Sequence, residues 1–207
     1  MPLVLGITGG VASGKSTVLE MLGGLGAQTL SADDIAREVL STSGPAYREV
    51  LDRFGPAIVD ASGEIDRPAL ARIIFEDDEA RRELNRITHP HIIERLKARI
   101  DRFRESYSGS DAVLAVEIPL LYECGLEKTV DRVLVVAAEQ DLQARRLTTR
   151  SGVGRDEALR RIASQIPISE KILRSDYVIR NDGSIEDLRR KVESLWHEIQ
   201  DAPSRFR

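Results

Sequence analysis

The chain has 207 residues, of which 42% are hydrophobic and 31% are charged, as is usual for a globular protein with one core and at most a small appended lobe. Its formal net charge of −4 argues against a nucleic-acid-binding protein, because binding to the phosphate backbone depends on a basic surface. Its single cysteine, Cys124, cannot form an intrachain disulfide, and no apolar run approaches the ~20 residues of a membrane span. We therefore expect a cytoplasmic protein, a monomer or small homo-oligomer, with no membrane partner.

Five short apolar runs predict strands, at residues 3–8, 28–30, 112–117, 132–136 and 177–179. Helical patterns cover 15–25, 141–150 and 156–165, and a last helix begins near Ser184, where Ser184 and Asp187 resemble a capping box. Continuous β-branched runs are typical of parallel strands that are covered on both faces. The pattern predicts an α/β fold with a five-stranded parallel sheet flanked by helices, and a frayed tail after Gln200.

The long segment 34–106 has no strand signal and is mostly helical, with breaks predicted at Gly44-Pro45, at Phe54-Gly55-Pro56 and at His89-Pro90. It is long for a single crossover between parallel strands, so we interpret it as a helical substrate lobe inserted between the second and third strands. The predicted core is formed by 1–33 and 107–207, with a lid at about 141–165. Residues 34–106 form the acceptor-binding lobe, and no linker separates the two.

Residues 9–16 match the phosphate-loop pattern G-x-x-x-x-G-K-[ST] and lie between a predicted strand and a predicted helix. Glycines let the backbone wrap around phosphates with its N–H groups pointing inward, and the N-terminus of the helix adds a partial positive charge. Lys15 can reach the β- and γ-phosphates, and the Ser16 hydroxyl can ligate Mg²⁺. We expect ATP with Mg²⁺ to be held by Val11, Ala12, Ser13, Gly14, Lys15 and Ser16.

A phosphate loop identifies the ligand but not the reaction, since GTPases, motors and small-molecule kinases share it. The chain is too short for a motor, and it lacks Asn-Lys-x-Asp, the pattern with which a GTPase reads guanine. An arginine-rich segment suits a lid that closes over the transferring phosphoryl group, although a solvated helix face is the alternative for any one of its arginines. These are Arg145, Arg146, Arg150, Arg155, Arg160 and Arg161.

Three further residues each have a functional and a structural interpretation. Asp33 follows the second strand, where it could accept the proton of an acceptor hydroxyl or N-cap the next helix. Glu117 ends the third strand and could contact Mg²⁺ indirectly or face solvent. His89 could contact the substrate or be held at a helix break by local hydrogen bonds.

The order and spacing of these motifs resemble the dephospho-CoA kinase family, from Leu5 to about Leu195. Beyond the phosphate loop, the resemblance rests on Ala32-Asp33 with Ile35-Ala36-Arg37, Phe54-Gly55, Asp66-Arg67, His89-Pro90, Pro119-Leu120-Leu121-Tyr122-Glu123, Arg146-Leu147 with Arg150, Gln165, and Asp176 through Asn181 with Gly183. Departures are Ser31 in place of the family's usual Asp, Ala12 in place of a frequent Gly, and Tyr122 in place of Phe.

The resemblance implies a P-loop kinase fold and transfer of the γ-phosphoryl group of ATP to the ribose 3′-hydroxyl of dephospho-CoA, the last step of coenzyme A biosynthesis. It implies that Asp33 is the general base, assisted in catalysis by Lys15 and Arg146. Arg150 would bind the ATP phosphates and Asn181 would lie near the adenine. The substrate-binding candidates are Asp33, Arg67, His89, Pro119 and Leu120. The alternative functions are a nucleoside or nucleotide monophosphate kinase and a non-catalytic ATP-binding regulator.

Overall fold

The computed structural model describes residues 1–201, except for the side chain of Glu76. Within this range one sheet of five parallel strands is formed by β1 (Leu3–Gly9), β2 (Gln28–Ser31), β3 (Val113–Glu117), β4 (Arg132–Ala137) and β5 (Tyr177–Arg180). The strand order is β2-β3-β1-β4-β5, which places β1 at the centre. The predicted α/β fold with a five-stranded parallel sheet is confirmed.

Nine α-helices lie within the described residues: α1 (Lys15–Gly24), α2 (Ala32–Val39), α3 (Tyr47–Phe54), α4 (Arg67–Glu76), α5 (Asp78–Ser106), α6 (Gln140–Ser151), α7 (Arg155–Ala163), α8 (Ile168–Leu173) and α9 (Ile185–Asp201). Short 3₁₀ turns occur at Pro56–Ile58 and Glu127–Thr129. The predicted capping box at α9 is present, because Ser184 Oγ accepts the N–H of Asp187 at 3.2 Å. The sequence did not predict α8, and the tail after Asp201 lies outside the described residues.

Strand β1 lies in the core, which explains its apolar sequence. Its inward residues, such as Leu5 and Ile7, are fully buried and pack with Val18 and Leu22 of α1 and with residues of α9 such as Val192. Parallel pairing with β3 and β4 satisfies the backbone of β1 on both sides. This burial on two faces accounts for the continuous apolar run. None of the described helices has both the length and the apolar character that a membrane crossing requires.

The predicted helix break at His89-Pro90 is wrong. Helix α5 continues through Pro90, whose ring removes only one backbone donor, while buried residues such as Leu96 and Ile100 anchor the helix along its length. The real break lies between α4 and α5 at Asp77. The Asp77 carboxylate accepts the N–H of Glu79 at 2.7 Å and of Ala80 at 3.2 Å, and so caps the start of α5.

The chain divides into two compact units. The first comprises residues 1–31 with the chain from Arg102 onward and contains the sheet. The second comprises residues 32–101, with α2, α3, α4 and most of α5. Within it, Arg99 of α5 donates to both carboxylate oxygens of Glu38 in α2, at 2.8 and 3.0 Å. That residues 34–106 bind the acceptor stays a prediction.

Candidate active site

The phosphate loop connects β1 to α1, and its conformation depends on two glycines. Gly9 has φ +149°, and a Cβ there would stand 2.1 Å from the carbonyl oxygen of Val136. Gly14 has φ +97°, and a Cβ there would stand 2.3 Å from the Nδ2 of Asn181. Ala12, where the family often has glycine, adopts the left-handed region with φ +56°. The backbone is therefore fixed in a curved form that L side chains rarely adopt.

Lys15 is the first residue of α1 and is only 7% exposed. Its Nζ donates to the carbonyl oxygen of Gly10 at 2.9 Å and reaches that of Gly9 at 3.5 Å. The ammonium group therefore lies over the loop that the motif assigns to phosphates. Within residues 1–201, the buried hydroxyl of Ser13 has no hydrogen-bond partner. A buried hydroxyl without a partner fits a site built for an acceptor-rich ligand such as a phosphate.

Ser16 and Glu117 bring two oxygen ligands together. The Ser16 hydroxyl donates to Oε1 of Glu117 at 3.0 Å, and Glu117 is only 5% exposed at the end of β3. The solvent-facing interpretation of Glu117 is therefore wrong. Ser31 lies opposite Glu117 in the β2–β3 register, so a carboxylate remains beside the position where the family usually has Asp. Hydroxyl and carboxylate oxygens fit Mg²⁺, which prefers hard oxygen ligands.

Asn181 follows β5 and supports the loop from the other side. Its Nδ2 donates to the carbonyl oxygen of Ser13 at 2.8 Å, and its own N–H donates to Ala137 at 2.7 Å. The side chain is 7% exposed, so the bond to Ser13 is shielded from water. Asn181 thus holds phosphate-loop backbone, and its contact with adenine stays a prediction.

The predicted lid segment packs directly on the phosphate loop. From α6, the buried amide of Gln143 abuts Gly10, where a Cβ would stand 2.3 Å from its Nε2. After α7, Oε1 of Gln165 accepts the N–H of Val11 at 2.9 Å. Between these contacts, an apolar cluster of α6 and α7 residues that includes Leu147 packs with Val11 and Ala12. Gln143 could not be predicted as a site residue, because a lone glutamine in a polar helix carries no functional signal.

The arginines of the predicted lid segment differ in their surroundings. Arg146 lies three residues after Gln143, on the face of α6 that meets the phosphate loop, and its Nη1 is buried without a hydrogen-bond partner among the described residues. Arg150 follows one turn later and is exposed. In contrast, Arg155 pairs with Asp141 at 2.7 Å with 60% of its side chain exposed, as the solvated-face interpretation predicts. The buried Nη1 of Arg146, which has no hydrogen-bond partner among the described residues, is suited to an anion.

The turn after β3 contains the candidate residues Pro119 and Leu120. Thr8, near the end of β1, donates from Oγ1 to the carbonyl oxygen of Pro119 at 3.1 Å, so this turn is fixed to the strand that leads into the phosphate loop. Leu120 is 37% exposed and offers an apolar surface. Next to it, the Tyr122 hydroxyl donates to the Arg174 carbonyl at 2.8 Å, and burial raises the pKa of this phenol.

In the second unit, Asp33 and Arg67 line one groove of about 300 Å³ between α2 and α4. Asp33 is the second residue of α2, so it does not precede the helix as an N-cap must. Asp66 caps α4 by accepting the N–H of Ala69 at 3.0 Å, which fixes Arg67 at its first turn. The groove is completed by Ala36, Arg37, Leu40, Leu70, Ala71 and Ile74. A carboxylate and two guanidinium groups above an apolar floor suit an amphipathic phosphate ester.

His89 does not line this groove. It lies within α5, and burial lowers the pKa of its imidazole. The interpretation of His89 as a histidine at a helix break is wrong because α5 is continuous there. Its role as a substrate-binding residue stays a prediction.

Comparison with known proteins identifies the family of the chain. The family model described as Dephospho-CoA kinase matches residues 3–187. The chain belongs to the dephospho-CoA kinase family. It is 44% identical over 195 residues to the dephospho-CoA kinase of Geobacillus kaustophilus, covering 94% of this chain and 96% of that protein. It is 42% identical over 197 residues to that of Moorella thermoacetica, covering 95% and 92%.

Solved structures place the fold of this dephospho-CoA kinase family member among kinases. The dephospho-CoA kinase from Campylobacter jejuni aligns with a TM-score of 0.71 at 30% identity, over 96% of this chain and 98% of that one. Shikimate kinase from Acinetobacter baumannii aligns with a TM-score of 0.52 at 15% identity, over 99% and 97%. The latter match shows the fold alone, and together they confirm the predicted P-loop kinase fold.

Proposed function

We propose that the chain transfers the γ-phosphoryl group of ATP to the ribose 3′-hydroxyl of dephospho-CoA, giving coenzyme A and ADP. The observation that carries this proposal is family membership over residues 3–187 together with a preformed phosphate loop in the same chain. The new bond joins the ribose oxygen to the γ-phosphorus, and the bond to the oxygen bridging the β-phosphorus breaks. A cytoplasmic location and the oligomeric state stay predictions.

At the nucleotide end, residues 11–16 and the N-terminus of α1 would hold the phosphates. Lys15 would exchange its bond with the Gly10 carbonyl for a bond with a phosphate oxygen, which is stronger because the acceptor also carries a charge. Arg146 would bring its Nη1, which has no hydrogen-bond partner among the described residues, to the transferring group, where charge shifts during the reaction. Arg150, one turn further along α6, would reach the same phosphates.

Mg²⁺ would be held by Ser16, with Glu117 as the neighbouring acidic group. When bound, the ion neutralises phosphate charge and helps to orient the phosphates for in-line transfer. The Ser16 hydroxyl and the buried Glu117 side chain, which are 3.0 Å apart, would be the two protein groups beside the ion. Glu117 thus compensates for Ser31, because the two residues lie opposite each other in the sheet.

At the acceptor end, Asp33 would accept the proton of the 3′-hydroxyl. Asp33 follows the last residue of β2 by two positions, and open α/β sheets bind ligands at the carboxyl ends of their strands. It is exposed, so the carboxylate is ready to bind a hydroxyl group. Arg67 shares its groove and would hold a phosphate group of the acceptor. That Pro119, Leu120 and His89 bind the acceptor stays a prediction.

The test uses Asp33→Asn, with Asp34→Asn as the matched control in the same helical turn. Without the base, kcat for dephospho-CoA should fall about 10²- to 10⁴-fold, while ATP affinity measured by calorimetry stays within twofold of wild type. Asp34 pairs with Arg37 on the exposed surface, so Asp34→Asn should leave kcat nearly unchanged. Full turnover by Asp33→Asn would show that the base is assigned incorrectly.

A further inference from the structure

Lys171 in α8 is 0% exposed, which is rare for a lysine. Its Nζ lies 2.7 Å from Oε1 of Glu123, in the turn that follows β3. A buried ammonium group needs an opposite charge beside it, and the Glu123 carboxylate supplies that charge, although the geometry of the contact is not that of a hydrogen bond. An apolar pair of similar volume is often as stable as a buried ion pair, so stability alone does not account for these two residues.

Glu123 also holds the end of the lid segment. The same Oε1 atom that meets Lys171 accepts the N–H of Ile166 at 3.3 Å. The residue before Ile166 is Gln165, whose side chain accepts the N–H of Val11 in the phosphate loop at 2.9 Å. An uninterrupted series of contacts therefore runs from the buried ammonium group to the phosphate loop.

The other end of the lid is fixed independently. The N–H of Glu139, just before α6, donates to Oδ1 of Asp182 at 2.7 Å. Residues 140–165 are thus held at both ends. Within this segment, Gln143 and the apolar cluster contact the phosphate loop. Glu123 supplies the C-terminal attachment, from the same turn that contains Pro119 and Leu120.

We propose that Glu123 and Lys171 are positioning residues for phosphoryl transfer. Lys171 fixes the Glu123 carboxylate, Glu123 fixes the backbone at Ile166, and Gln165 then keeps the Val11 N–H in the conformation that the phosphate loop needs for ATP. The inference rests on the proposed function, because it names residues that prepare the same nucleotide site. We assign no contact with the reacting atoms to Glu123, Lys171 or Gln165.

Two double variants separate this role from folding. Glu123→Gln/Lys171→Met removes both charges but leaves an amide oxygen for the Ile166 N–H. Glu123→Leu/Lys171→Met removes both charges and that acceptor as well. Neither leaves an unpaired buried charge, so both should unfold within about 5 °C of wild type. The first should keep the KM for ATP within about threefold, and the second should raise it about tenfold, the value of one lost hydrogen bond.

The control is the neighbouring ion pair between Arg174 and Glu127. It joins the chain after β3 to the end of α8, at 3.1 Å, and among the described residues neither partner forms a hydrogen bond or an ion pair with residues 165–166. Glu127→Gln should therefore leave the KM for ATP unchanged. The KM for dephospho-CoA and the melting temperature are measured for every variant, because a general loosening of the fold would change both, whereas loss of positioning raises the KM for ATP selectively.

Gln165→Met provides the decisive variant if Glu123→Leu/Lys171→Met does not fold. It conserves side-chain length and removes only the acceptor for the Val11 N–H, so ATP affinity should fall about tenfold at an unchanged melting temperature. Calorimetry without acceptor measures this affinity, so the result does not depend on which acceptor is phosphorylated. Wild-type ATP affinity in Gln165→Met, or in a folded Glu123→Leu/Lys171→Met, would overturn the inference. A wild-type protein inactive on dephospho-CoA would instead refute the proposed function.

Discussion

Replacing Gly14 tests the backbone conformation of the phosphate loop. Its φ of +97° lies in the left-handed region, which costs an L-residue about 1–2 kcal/mol. A Cβ at this position would also stand 2.3 Å from the Nδ2 of Asn181, well inside van der Waals contact. That amide is 7% exposed and is bonded to the Ser13 carbonyl, so it cannot move without losing its partner. Gly14→Ala therefore strains the backbone and displaces a buried side chain.

The lost hydrogen bond is worth about 1 kcal/mol, and together with the backbone strain it should lower the free energy of unfolding by about 2–3 kcal/mol. Asn181→Ala alone should cost about 1–2 kcal/mol, because it leaves the buried Ser13 carbonyl without its donor. In Gly14→Ala/Asn181→Ala the clash is gone, so the total loss should be smaller than the two single losses combined by about 1 kcal/mol.

Urea unfolding measures the free energy of unfolding of all three variants. Calorimetry with ATP shows whether ATP affinity falls together with stability. An unchanged m-value shows that the two-state comparison holds. Wild-type stability of Gly14→Ala would refute the conformation of the loop. Strictly additive losses would refute the close approach of Gly14 and Asn181.

Three further predictions concern the metal, the long helix and pH. Ser16→Ala should fold normally but need a higher Mg²⁺ concentration for half-maximal activity; an unchanged Mg²⁺ titration would exclude Ser16 as the ligand. Pro90→Ala should raise the melting temperature, because alanine restores a donor for the Arg86 carbonyl inside α5 and proline costs about 3 kcal/mol in a helix interior; a lower melting temperature would contradict this. Burial lowers the pKa of His89 below its usual value of 6.5. As pH drops below 6.5, the unfolded chain therefore binds a proton at His89 more readily than the folded chain does, and the free energy of unfolding falls. His89→Gln should flatten this pH dependence in urea unfolding, and an identical profile would refute it.

Elements with a strong local pattern were predictable from the sequence. Strands β1, β3 and β4 carry apolar runs that follow from burial on two faces, and the phosphate loop requires glycine where φ is positive. The capping residues Ser184 and Asp187 mark the start of α9 in the same local way.

Features that depend on tertiary contacts were not predictable. Pro90 signals a break, yet buried residues along α5 keep that helix continuous. Gln143 and Lys171 belong to ordinary polar helices, and their burial follows only from what packs against them, the phosphate loop for one and Glu123 for the other. A buried polar residue is specified by its partner, which lies far away in the sequence.

The acceptor is the central claim, and it is tested most directly by the position of the new phosphate. Wild-type protein is incubated with ATP, Mg²⁺ and one acceptor at a time, namely dephospho-CoA, adenosine, AMP or pantothenate. ADP release is followed by a coupled assay, and the product is analysed by phosphorus NMR. We expect ADP release with dephospho-CoA alone and a new monoester on the ribose 3′-oxygen. No release with dephospho-CoA, or faster release with AMP or adenosine, would contradict the account.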